Sequence, residues 1–189
     1  MKLTPASYLM LGMLRLGARS GYAIKKTADV STRYFWPTSL SQVYPELARL
    51  EGAGLVTRSD DARGSRARSS YALTEAGEAG LLAWLRSPRH APPHVRDEGL
   101  LRLFFADALP PEDQLTLVRR LRESDQANAR WMREEIAALA GAAEQAGTRF
   151  PALVARLGAD IYAYSADWLA ELETELEAQL PPDSSSTAP

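Results

Sequence analysis

Apolar residues recur along most of this chain at intervals of three and four, the spacing that turns one face of an α-helix toward a core. Residues 6–16 are apolar on nearly every side, as the central helix of a small domain should be, with Thr4 as N-cap and Pro5 at the first helical position. Gly17 closes that helix, and Ser20-Gly21 opens a second one, expected from residue 22 to about 32. Phe35-Trp36-Pro37 predicts a turn, because the residue before a proline is pushed toward extended conformations. Thr38, Ser39 and Ser41 are N-cap candidates for a third helix ending near Gly52. Val43, Leu47 and Leu50 share its inward face, which leaves Ser41, Gln42, Tyr44, Pro45 and Arg49 projecting away. A short strand over 55–57 and a return strand over 69–73 flank a turn-rich segment, 60–68, that carries Arg63, Arg66 and Arg68. Thr74, followed by Glu75 and Glu78, opens a fourth helix through residue 85, with its acids in the first turn where the helix dipole favours them.

Helix, helix, helix, hairpin and helix predict a winged helix-turn-helix over residues 1–86. Residues 87–95, with Pro88, Pro92 and Pro93, read as a linker. Beyond it, a short helix is expected over 97–105, then a long one from residue 112. In the latter Val118, Leu121, Asp125, Ala129, Met132, Ile136 and Leu139 recur every three or four positions, with no proline or glycine before Gly141. Some 30 residues at about 1.5 Å each make a rod of about 45 Å. Pro151 opens a last helix whose stripe is Leu153, Leu157, Ile161, Tyr164, Trp168, Leu172, Leu176 and Leu180. Pro181-Pro182 ends it, and residues 182–189 are expected to be disordered. Either the two long helices pack only on each other and on the first domain, or a partner covers them. The outer half of so long a hairpin has few neighbours in its own chain, so residues 96–181 are expected to be a helical dimerisation domain in a two-fold homodimer. The fold class expected is mainly α with a small β-hairpin wing.

Composition narrows the function classes. The 189 residues are 46 % hydrophobic and 24 % charged, ordinary for a globular protein, and contain no cysteine, so disulfides, thiolate chemistry and cysteine zinc sites are excluded. No apolar run approaches the roughly 18 residues that span a bilayer. The stretch over 8–16 is interrupted by Gly12 and Arg15 and no small-residue cleavage site follows, so no signal peptide is expected and the protein reads as soluble and cytoplasmic. His90 and His94 are the only histidines; Pro92 and Pro93 between them prevent a helix from presenting the pair, and no carboxylate joins them. With no glycine-rich phosphate loop and no nucleophile elbow, neither enzyme activity, metal nor cofactor is expected.

The net charge of −2 hides an asymmetry: residues 1–86 hold 12 basic and 7 acidic side chains, a balance of +5, while residues 87–189 hold 10 and 17, a balance of −7. A basic helix-turn-helix half suggests nucleic acid. The third helix fits a major groove about 12 Å wide, where Gln42 pairs with adenine, Ser41 with several acceptors and Arg49 with phosphate or guanine. The hairpin tip would place Arg63, Arg66 and Arg68 at the backbone or the minor groove. Two alternatives stay open. Tyr44 either contacts DNA or packs on a neighbouring helix, and the winged helix as a whole could serve protein–protein contact with no DNA target.

Gly21-Tyr22-Ala23-Ile24-Lys25-Lys26, the run FWPTSLSQVYPELARLEGAGLV at 35–56 and RARSSYALTEAG at 66–77 resemble the PadR family of transcriptional regulators. RDEGLLRLFF at 96–105 and the final helix resemble the C-terminal part of that family's longer, virulence-regulator-like branch. The resemblance implies a winged-helix homodimer, usually a repressor and often released from double-stranded operator DNA by a small effector. It places Tyr22 and Lys26 at the DNA backbone, Ser39, Gln42 and Tyr44 on the recognition helix, and Arg66 and Arg68 on the wing. Ser65 and Ala67 stand where the family's wing tip often has glycine and proline, and Ser41 where it often has glycine. Trp36, Trp84 and Trp168 are candidate lining for a small aromatic effector, since aromatic faces stack on planar ligands, although large aromatics at helical spacing also serve as core.

Overall fold

Polar residues that cap helices set most of the element boundaries in a computed structural model, which describes residues 2–61, 68–88, 96–145 and 147–180, without the side chains of 61, 68 and 136–145. The chain divides into two compact units, Met1–Pro92 and Pro93–Pro189.

In the first unit, α1 (Pro5–Arg15) begins where the Ser7 N–H donates to Thr4 Oγ1 at 3.3 Å and the Thr4 N–H donates back to Ser7 Oγ at 2.8 Å. This reciprocal box satisfies two donors that a helix start leaves orphaned. The second helix, α2 (Gly21–Val30), is capped by Ser20, whose Oγ accepts from the Ala23 N–H at 3.1 Å. A turn over 31–36 follows, as the Phe-Trp-Pro run predicts. The third helix, α3 (Leu40–Gly52), starts early enough to make Pro45 its sixth residue. The Ser41 carbonyl therefore lacks its N–H partner, but Ser41 and Pro45 are both exposed and solvent can satisfy it. Met10, Leu11, Met13, Leu14, Ile24, Ala28, Val43, Leu47 and Leu50 bury together as the core, as their spacing requires.

The hairpin is longer than its apolar residues predict. Strand β1 (Val56–Asp61) pairs antiparallel with β2 (Arg68–Leu73), in a register that sets Val56 opposite Leu73, Arg58 opposite Tyr71 and Asp60 opposite Ser69. Propensity ends the first strand at Thr57, yet Ser69 Oγ donates to Asp60 Oδ1 at 2.7 Å and Arg58 Nε to the same oxygen at 3.0 Å. On a two-stranded ribbon, cross-strand polar pairs can carry the ladder past the last apolar residue. The Tyr71 N–H donates to the Arg19 carbonyl at 2.8 Å and ties β2 to the α1–α2 loop. Thr74 caps α4 (Glu75–Leu85), where the Gly77 N–H donates to Thr74 Oγ1 at 3.1 Å. A Cβ on Gly77 would lie 2.0 Å from the Leu55 carbonyl oxygen, so only glycine lets α4 meet the base of the hairpin this closely.

In the second unit, Asp97 caps α5 (Glu98–Phe104), its Oδ1 accepting from the N–H groups of Gly99 at 2.7 Å and Leu100 at 3.1 Å. A single 3-10 turn (Ala106–Ala108) leads to α6 (Pro111–Gln145), which runs through Gly141 to 35 residues. The last helix is α7 (Phe150–Gln179). Arg119 meets Glu173, Asp125 meets Ser165, and Met132 lies against Gly158, so α6 and α7 run antiparallel. Leu115, Val118, Ala129 and Met132 of α6 and Ala159, Ala166 and Leu169 of α7 are buried. The sequence stripe of α7 faces elsewhere: Leu153, Leu157, Ile161, Tyr164 and Trp168 are exposed, Tyr164 to 74 %. Residues 89–95 and 182–189, read from the sequence as most of a linker and a disordered tail, lie outside the described residues.

Candidate nucleic-acid interface

Half-buried Ser39 and exposed Ser41 and Gln42 converge at the start of α3, away from its buried face. The Gln42 amide reaches back, Oε1 accepting from the Ser39 N–H at 3.0 Å, while the Ser39 and Ser41 hydroxyls lie 2.7 Å apart. Because a backbone N–H points at it, the amide oxygen is Oε1 in that position, leaving the Nε2 hydrogens as the group's remaining donors. Tyr44 is half-exposed one turn further along. Its ring lies over the start of α2, where a Cβ on Gly21 would come within 2.6 Å of Tyr44 Cε1. One part of the Tyr44 side chain therefore packs on α2, and the rest faces solvent. Tyr22 and Lys26, four apart on α2, are exposed on one face, whereas Lys25 pairs with Asp29.

Arg49 differs from what its place on the helical wheel predicts. Its guanidinium turns back along α3: Nε donates to Glu46 Oε2 at 3.0 Å and Nη2 to Ser7 Oγ of α1 at 2.6 Å. The Arg49 hydrogen bond holds the Glu46 carboxyl below the ordinary range, against the desolvation that pushes it up. The wheel places side chains by angle alone and cannot foresee that a long cation will fold onto a neighbouring acid.

On the hairpin, Arg68 begins β2, paired in register with Asp61, while Arg63 and Arg66 lie outside the described residues. Arg58 lies beyond the strand end that the sequence predicts at Thr57, and it pairs with Asp60 on its own strand. Burial pushes the phenol of Tyr71 up, partly offset by Arg58 across the ladder.

Of the tryptophans, Trp84 stacks on Tyr8 with ring centroids 4.5 Å apart and planes 6° from parallel, so one indole face is already spent. Trp36 sits partly exposed in the turn before α3, and Trp168 lies exposed on α7 of the second unit. His90 and His94 lie outside the described residues. Among the described residues no helix is long and apolar enough to cross a membrane.

A helix-turn-helix with polar side chains gathered on its third helix, followed by an arginine-bearing hairpin, defines a winged-helix protein of the DNA-binding class. Residues 10–83 match the Transcriptional regulator PadR-like family and residues 95–177 the Virulence activator alpha C-term family. The chain belongs to the PadR-like family of transcriptional regulators, in the longer branch that carries this C-terminal part. It is 32 % identical over 121 residues to the negative transcriptional regulator PadR of Bacillus subtilis, an alignment spanning 64 % of this chain and 66 % of that protein. The crystal structure of Bacillus subtilis PadR in complex with operator DNA superposes with a TM-score of 0.80 at 24 % identity, covering 93 % of this chain and 99 % of the other. The Vibrio cholerae virulence activator AphA matches with a TM-score of 0.69 at 27 % identity, covering 93 % and 99 %. A further Bacillus subtilis PadR structure, with a TM-score of 0.66 at 24 % identity, holds p-coumaric acid and covers 93 % and 99 %.

Proposed function

We propose that this chain is a sequence-specific transcriptional regulator that binds double-stranded operator DNA as a homodimer, represses transcription, and is released by a small aromatic effector. The observation that carries the DNA reading is the exposed polar start of α3, where Ser39, Ser41, Gln42 and Tyr44 stand clear of the helix's buried face. In this reading α3 enters the major groove, Tyr22 and Lys26 meet the phosphate backbone, and Arg63, Arg66 and Arg68 serve the wing. The operator complex and negative-regulator description of the Bacillus protein support DNA binding and repression. Its p-coumaric acid complex supports an aromatic effector. Residues 1–86 act as the DNA-binding domain, 87–95 as linker and 96–181 as the dimerisation domain. The exposed apolar residues of α7 support self-association, because burying them against a second copy removes a large hydrophobic face from water.

A gel-shift titration with the duplex just upstream of the protein's own gene, against random DNA at two salt concentrations, tests this. Tight, salt-sensitive and selective binding is the expected result. A shift without selectivity would move the target elsewhere, and no shift at any salt would favour a winged helix used for protein–protein contact.

A further inference from the structure

Arg49 lies on the recognition helix but is occupied inside the protein. Its Nε donates to Glu46 Oε2 at 3.0 Å, Nη2 reaches Glu46 Oε1 and Ser7 Oγ, the latter at 2.6 Å, and Nη1 approaches the Lys2 carbonyl at 3.4 Å. Four of the five N–H donors that a guanidinium owns are thus engaged. The acceptor at the far end, Ser7, is 0 % exposed, and its oxygen also accepts from the Thr4 N–H at 2.8 Å and lies 3.1 Å from Thr4 Oγ1. One buried hydroxyl therefore joins the capping box of α1 to the last turns of α3. The side chain of Glu46 is 14 % exposed and that of Arg49 33 %, so the carboxylate is sheltered while the guanidinium keeps partial access to solvent.

We propose that Arg49 is a positioning residue: with Glu46 and Ser7 it sets the rotation of α3 on α1, and so aims the DNA-reading side chains, without touching DNA itself. The inference rests on the DNA-binding reading above. Val43, Leu47 and Leu50 hold α3 in the core, but apolar contact is non-directional and tolerates a small rotation of the helix. A planar fork onto a carboxylate and a buried hydroxyl is directional and does not. A phosphate contact by Arg49 would have to break these bonds and give up the pairing with Glu46, whose side chain is only 14 % exposed.

The test compares Ser7→Ala, Arg49→Met and Arg49→Lys in the full chain, each checked for a cooperative melt, by titrating operator and random duplexes across a salt series. Ser7 cannot reach DNA, so a shared phenotype isolates the clamp. All three variants are expected to weaken operator binding about tenfold, with random-DNA affinity and the salt slope unchanged. Lysine is expected to fail with methionine, because one ammonium cannot span Glu46 and Ser7 as the fork does. The proposal is overturned if Arg49→Met shallows the slope by about 0.9 units and weakens both duplexes while Arg49→Lys and Ser7→Ala bind normally, the pattern of a phosphate contact. Wild-type affinities in all three variants overturn it as well. If the wild-type chain binds no duplex, the DNA reading fails on that arm alone. Hydrogen exchange over residues 40–53 then decides the clamp: faster exchange in Ser7→Ala and Arg49→Met supports it, and equal exchange refutes it.

Discussion

Single side chains in this protein carry roles that their positions along a helix do not announce. Gln42 shows this at the start of α3, because its amide oxygen closes the helix start and leaves the Nε2 hydrogens as the group's remaining donors. Asp125 shows it in the second unit. It stands on α6 against α7, accepting from Ser165 Oγ at 2.5 Å. Burial raises its carboxyl above the ordinary range, the Ser165 hydrogen bond opposes this, and the charge of Asp97 adds to it. The folded protein thus binds this proton more tightly than the unfolded chain does. The cost of ionising Asp125 is absent below the unfolded value of 3.8 and grows as pH rises through the folded one. Asp125→Asn, which keeps an oxygen for Ser165, is expected to raise the melting temperature at pH 7 by about 1–3 °C, with the gain shrinking toward pH 4. A gain equal at both pH values in thermal melts would show that ionisation is not its source.

Among the elements, the hairpin and the last helix depart most from their sequence pattern. Polar pairs extend the hairpin to Asp61 and Arg68. Replacing Arg66 and Arg68 together with alanine is expected to weaken binding at every DNA sequence and to shallow the plot of log K against log salt by up to about two units. An unchanged slope in the salt titration would remove the wing from the phosphate contacts. In α7 the buried residues are Ala159, Ala166 and Leu169, while Leu153, Leu157, Ile161, Tyr164 and Trp168 stay exposed.

For the whole molecule, those outer side chains matter most. Leu153, Leu157, Ile161, Tyr164 and Trp168 of α7, with Leu100, Leu101 and Phe104 of α5, expose more apolar surface than the second unit covers by itself, Phe104 to 79 %. Ile161→Asp combined with Tyr164→Asp is expected to leave the monomer folded, since both positions are already solvated, and to abolish self-association. Sedimentation should then report a single chain, and operator affinity should fall by about a hundredfold or more as the second half-site is lost. A dimer that survives both substitutions would place the interface elsewhere.

Local chemistry alone determined the element order here. Thr4, Ser20, Thr74 and Asp97 are caps because their oxygens meet nearby N–H groups, and Val43, Leu47 and Leu50 face inward by spacing. The polar start of α3 was legible for the same reason. The tertiary structure decided what depends on residues far apart in sequence: the fork of Arg49 onto Ser7 across 42 positions, the ladder that carries β1 to Asp61, and which of two apolar faces of α7 meets α6. Spacing along a helix reports angle and not distance, so it cannot say which partner a long side chain finds or which face a neighbour takes.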